Sequence, residues 1–264
     1  MKKKIALLLS ILLIFTMITA CGSDKGSESK QDGATQNQKT LTAEEIMGKC
    51  LEKAKNADSM DMTMTMKMDM EFGGESMSQN IGYDIQMNNA TNEKLEMAAI
   101  VNMDMGTENM SQTMYYKDGV YYMDMLGEKY KMTMNPTEVL ASMGGANSLI
   151  DMDISDFASL ESEEDGEGYS LKFVLNTTAF SDMANSFMGE FADGAELSVE
   201  NISGVFHLNS DFMPEEITMD MKMAMNSEGM EIAVNANCLT TYESIGEHID
   251  ITFPNFDEYE EMTY

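Results

Sequence analysis

From Met60 to Met70 the chain reads Met-Asp-Met-Thr-Met-Thr-Met-Lys-Met-Asp-Met, with methionine at every even position and a polar or charged residue at every odd one. Successive side chains of a β-strand point to opposite faces, so this strict period of two describes one long strand with an apolar face and a wet face. Strands buried on both sides do not alternate in this way, which places the segment in an antiparallel sheet. Its apolar face requires a cover.

The same alternation continues on either side. Gly73-Gly74 turns the chain, and a return strand runs through Met77, Ile81, Tyr83, Ile85 and Met87. A third strand carries Leu95, Met97, Ala99, Val101, Met103 and Met105. A fourth ends in Met114-Tyr115-Tyr116 before Lys117-Asp118-Gly119, a hairpin turn in which Gly119 takes a positive φ. Val120 to Met125 and Tyr130 to Met134 make two shorter strands around a turn at Gly127-Glu128, and Asn135-Pro136 stops the sheet. Tyr169, Leu171, Phe173 and Leu175 form a later strand, with more expected near 201–209, 215–226, 230–243 and 248–253. Ile217, Met219, Met221, Met223 and Met225 repeat the one-faced methionine ladder.

Helical periodicity marks the covering elements. Residues 41–58 read as one helix, with a capping box at Thr42 and Glu45 and an apolar face of Ile46, Met47, Cys50, Leu51 and Ala54. Two short helices are expected within 136–160, one starting at Pro136 and one after Ile154-Ser155-Asp156. A further helix spans about 180–191, and the acidic stretch 161–167 reads as a solvated turn. The fold class is therefore mainly β (α+β). One curved antiparallel sheet of about ten strands forms a half-barrel, and the N-terminal and middle helices cover its concave apolar face.

The N-terminus carries a different message. Lys2, Lys3 and Lys4 precede the apolar run from Ile5 to Ile18, and Ile18-Thr19-Ala20-Cys21-Gly22-Ser23 follows. This is a lipoprotein signal peptide over 1–20, with cleavage before Cys21 and lipid attached to its sulfur. Two acyl chains on a diacylglyceryl group hold a protein to a membrane, where one lets it escape. Residues 21–40 are the lipidated Cys21 and a flexible tether rich in Ser, Gly and Gln, and 41–264 is one half-barrel domain. The expected location is the extracytoplasmic face of the cell membrane, with the protein lipid-anchored and monomeric.

Charge and residue usage narrow the function. A net charge of −30 and the absence of any Arg argue against nucleic acid and phosphate partners. His207 and His248 fall out of phase with their apolar neighbours and have no nucleophile or metal spacing around them. Asp151-Met152-Asp153 opens like a calcium loop but lacks the later Gly and Glu. No enzyme, cofactor or metal site is expected. Cys50 and Cys238 read as two buried thiols, with a bridge between them as the alternative.

The layout of these elements resembles the exported lipid-carrier superfamily that includes LolA, LolB, LppX and LprG, and clostridial-type lipoproteins. The resemblance spans roughly 41–260. It is carried by the Leu41-Thr42-Ala43-Glu44-Glu45-Ile46 helix start, the strand entry at Ser59, the hairpin from Met114 to Tyr122, and the Met213-Pro214 turn. It implies a half-barrel whose mouth is plugged by helices, with acyl chains lying between them.

The residues themselves point to a ligand face. Met62, Met64, Met66, Met68, Met97, Met103, Met219, Met221 and Met223 form an expected apolar lining. Thioether side chains are flexible and polarizable, so such a surface adapts to ligands of varied shape. Alternate residues on a strand stand about 6.8 Å apart, so Met60 to Met70 draws a track roughly 34 Å long, enough for an extended acyl chain. The expected partners are the membrane, through Cys21, and an apolar ligand such as a lipid. Two other readings stay open: an envelope interaction module with a plain methionine core, and copper(I) binding through Met219, Met221 and Met223.

Overall fold

The computed structural model describes residues 41–262 apart from 91–93, 105, 107–108, 143–151, 165, 167, 179–195 and 228–229. The expected signal peptide, lipidation site Cys21 and tether, the helix expected over 180–191 and Asp151 lie outside these residues.

Helix α1 (Ala43–Lys55) begins where the sequence places it. Thr42 Oγ1 accepts from the Glu45 amide at 3.2 Å and the Glu45 carboxylate accepts from the Thr42 amide at 3.0 Å, so the capping box is closed. Its buried residues are Ile46, Met47, Cys50, Leu51 and Ala54, one stripe pressed onto the sheet.

Six strands follow as a meander: β1 (Ser59–Phe72), β2 (Glu75–Asn88), β3 (Glu96–Asp104), β4 (Asn109–Lys117), β5 (Val120–Met125) and β6 (Glu128–Thr133). Helix α2 (Pro136–Ser142) starts at the first-turn proline. A second meander holds β7 (Phe157–Glu164), β8 (Gly168–Leu175), β9 (Glu196–Asn209), β10 (Pro214–Ser227) and β11 (Met230–Ile245), and β12 (Glu260–Glu261) ends the described chain. The spatial order is β12-β6-β5-β4-β3-β2-β1-β11-β10-β9-β8-β7, one twelve-stranded sheet that does not close. The first and last long strands of the two meanders, β1 and β11, therefore pair at its centre.

The structure corrects several expectations. There are twelve strands, not about ten. The acidic stretch at Glu161–Glu164 is no turn, because it belongs to edge strand β7, where an exposed strand tolerates charge on both faces and is kept from further pairing by it. The helix expected after Asp156 is a single 3₁₀ turn, Ile154–Asp156, that runs straight into β7. The β5–β6 turn centres one residue early, with Leu126 and Gly127 at φ 57° and 87°. At the preceding hairpin Asp118 and Gly119 adopt φ 53° and 80°, the geometry a two-residue hairpin favours.

No strand forms over 248–253. That segment crosses the outer face of the sheet as a strap. Asn88 pins its start, its side-chain amide donating to Ile249 O at 2.7 Å and its Oδ1 accepting from the Ile249 amide at 3.0 Å. Further on, Phe256 stacks on Tyr122 with ring centroids 3.7 Å apart, and Phe253 and Phe256 lie against Tyr115. The strap ends where β12 pairs parallel to β6. It explains why β4 and β5 carry tyrosines on a face that is polar elsewhere. Among the described residues every buried apolar side chain lies between Ile46 and Tyr259, so a chain beginning at Leu41 contains the whole described core.

Candidate apolar ligand site

Cross-strand partners share a face, so the register resolves the inner face into rows. One row runs Met219, Cys238, Met66, Ile81, Met103, Met110 across β10, β11, β1, β2, β3 and β4. The next is Ile217, Thr240, Met64, Tyr83, Val101, Gln112, and the one after it Tyr242, Met62, Ile85, Ala99, Met114, Met123. All nine methionines expected as lining occupy this face, in these rows or within two rows of them.

They divide by burial. Met62, Met66, Met68, Met97, Met221 and Met223 are buried, and Met68 and Met97 keep no accessible surface. Met64, Met103 and Met219 are only partly buried. Two clusters result. One gathers α1, Met66, Met68, Met221, Met223 and the aromatic residues of β8 and β9, and the other gathers Met62, Met97, Ile85, Tyr116 and Val139 of α2. Tyr83, Met114 and Tyr242 touch both and are fully enclosed by neither. These three side chains form the seam between the clusters and keep some accessible surface.

Tyr242 shows what kind of surface the seam has. It retains accessible surface, yet burial pushes its hydroxyl well above the ordinary phenol range, with the Cys50 and Cys238 thiols adding to the effect. Tyr83 shifts in the same direction, by burial first and Cys238 second. Both hydroxyls stand among apolar groups that disfavour the phenolate.

The two cysteines are separate buried thiols. Burial alone raises Cys50 to about 12, and burial opposed by a contact with Thr240 raises Cys238 to about 11. Each is neutral when folded and ionises in the unfolded chain above its ordinary value. The folded state then binds more protons than the unfolded one, so stability falls as pH rises. Melting temperature is expected to be independent of thiol ionisation below pH 9 and to decline from there to about pH 12. Replacing both cysteines by alanine should flatten that decline.

A second concavity lies on the other face. A groove of about 860 Å³ is bordered by Thr65, Lys67, Asn80, Gly82, Asn102, Asp104, Asn109, Ser111, Thr218, Asp220, Asn237 and Leu239. These form two adjacent rows of the outer phase, and the inner-phase row between them, Met66, Ile81, Met103, Met110, Met219 and Cys238, completes its floor, with Met103, Met110 and Met219 only partly buried. Two pairs of its polar groups are hydrogen-bonded, Asn237 donating to Asp220 and Ser111 to Asn102.

Of the polar members of the inner face, the sequence reading placed Tyr83 and passed over the others. Gln79 and Thr240 are buried there, and Tyr83, Gln112 and Tyr242 are partly buried. Gln79 was detectable as a polar residue in the apolar phase of β2. Tyr242 was detectable in the same way, since it continues the period of two through Ala236, Cys238 and Thr240, and the register shift between Asp61 and Met62 falls just beyond it. His207 is partly exposed and His248 exposed. Among the described residues no group of three or more His, Cys, Asp or Glu could hold a metal ion, and no helix is long and apolar enough to cross a membrane.

Residues 42–256 match the Family of unknown function (DUF6612). No curated protein matches the chain. Among solved structures it is similar to LprF from Mycobacterium bovis, at 10% identity and a TM-score of 0.41, over 81% of this chain and 96% of that one. It is similar to the lipoprotein LppX from Mycobacterium tuberculosis at 10% identity and a TM-score of 0.39, over 78% and 96%. A LolA superfamily protein from Nitrosomonas europaea has 11% identity and a TM-score of 0.25, over 80% and 95%.

Proposed function

The chain belongs to the Family of unknown function (DUF6612), so its activity has to be sought in its own geometry, and we propose that it is a membrane-tethered lipoprotein holding a lipid or similar apolar ligand on its methionine-lined inner face. The observation that carries this reading is the seam, where Met64, Tyr83, Met114 and Tyr242 keep surface in the middle of a covered sheet. A plain core closes over such positions, since interiors pack to the density of organic crystals. Burying a methylene contributes up to ~0.8 kcal/mol, so one acyl chain along the track supplies several kcal/mol after ordering costs. Lipid on Cys21, linked to the domain through residues 22–40, would hold the site at the outer face of the membrane.

The buried methionines favour a second reading, an interaction module with a filled core, because Met68 and Met97 have no free surface to offer. Fluorescence separates the two. Residues 41–264 should brighten N-phenyl-1-naphthylamine, and Met64→Trp should abolish the signal while the melting temperature stays within about 3 °C. A protein that leaves the dye dark, and that Met64→Trp destabilises, is a filled core.

A further inference from the structure

We infer that the inner face takes an uncharged amphiphile and that Gln79 is the hydrogen-bonding anchor for its polar group. This rests on the ligand reading above and specifies the ligand's chemistry. Gln79 is 4% exposed and pairs with Met68, which has no exposed surface, while Ile81 beside it on the same face is 2% exposed. Its side chain shares that apolar face and has no hydrogen-bond partner among the described residues. A carboxamide offers two donors and an acceptor, and leaving all of them unmet in an apolar setting is costly. A ligand that brings a hydroxyl or ester oxygen to this point satisfies them.

Charge decides which head group fits. Asp61, Lys67, Asp69, Asp104, Asp220 and Lys222 all take the outer phase of their strands, and the inner phase of β1 and β3 carries no charged residue. A carboxylate or phosphate buried there would have no cation to pair with, inside a protein of net charge −30. A neutral head group meets no such penalty. The geometry therefore selects acylglycerol-like chemistry over free fatty acid or phospholipid.

The test is displacement of N-phenyl-1-naphthylamine from residues 41–264 by 1-monomyristoylglycerol and by myristate at pH 8. The monoacylglycerol should displace the dye at a concentration at least about tenfold lower than myristate does. Gln79→Leu should weaken the monoacylglycerol about tenfold relative to the dye's own affinity for that variant, the loss of roughly one good hydrogen bond. Equal displacement from wild type and variant would overturn the anchor and leave Gln79 holding only a buried water. Should Gln79→Leu fail to fold, the wild-type comparison still decides, since myristate binding as well as the monoacylglycerol contradicts the selection for a neutral head. A wild-type domain that takes up no dye fails the ligand reading itself, and this inference with it.

Discussion

Met68→Asp is expected to lower the unfolding free energy by about 3–5 kcal/mol, whereas Thr65→Asp, three residues away, should shift it by less than about 0.5 kcal/mol. Met68 has no accessible surface and lies in the cluster beneath α1, so a carboxylate there loses its hydration and gains no partner. Thr65 belongs to the opposite phase of the same strand and is exposed. The contrast isolates the face assignment from strand propensity, because aspartate is equally poor in a strand at both positions. Urea denaturation of the two variants measures it, and equal midpoints would show that the inner face is not the covered one.

Gly204→Ala should cost about 3 kcal/mol, a large effect for a single methyl group. A Cβ at Gly204 would stand 2.0 Å from Thr218 O and 2.8 Å from the Phe173 ring. The ring could turn away, but the carbonyl belongs to the backbone of β10, which is pinned by β11 on its other side. Removing the ring by Phe173→Leu should therefore fail to rescue Gly204→Ala. The two costs should add, and a Gly204→Ala cost that largely disappears in the Phe173→Leu background would mean that the ring and not the β10 carbonyl is the obstacle.

How legible this fold was depends on what each residue was needed for. The run from Met60 to Met70 announced its own structure, because one covered face and one wet face leave a period of two that little else produces. The capping box at Thr42 and the hairpin at Asp118-Gly119 were equally direct, since local geometry alone demands those residues. Misreadings came where an alternative use of the same pattern won. Ile249, Ile251 and Phe253 do alternate, but the alternation serves a strap packed by one side against Tyr115 rather than a strand. Glu161, Glu163 and Glu164 looked like a solvated turn because edge strands are solvated too.

The site was legible in its apolar part and not in its polar part. The nine methionines lie on one face, as phase alone required. Which of them keep free surface depends on how α1, α2 and the β8–β9 aromatics divide the cover into two clusters, and that is a property of packing. Tyr83 was legible from its phase in β2, whereas the place of Tyr242 beside Met62 emerged only with the register. Gln79 stood in the sequence as a polar residue out of place.

The central claim is that the inner face holds a ligand, and native mass spectrometry of residues 41–264 tests it most directly. Made without the signal and tether, this domain carries no covalent lipid, so any acyl species released from it was held by the fold. The account predicts a population heavier than the bare chain by the mass of a neutral lipid, lost on Met64→Trp with the fold intact. Bare chain alone, or discrete copper masses that disappear when Met219, Met221 and Met223 become leucine, would contradict it.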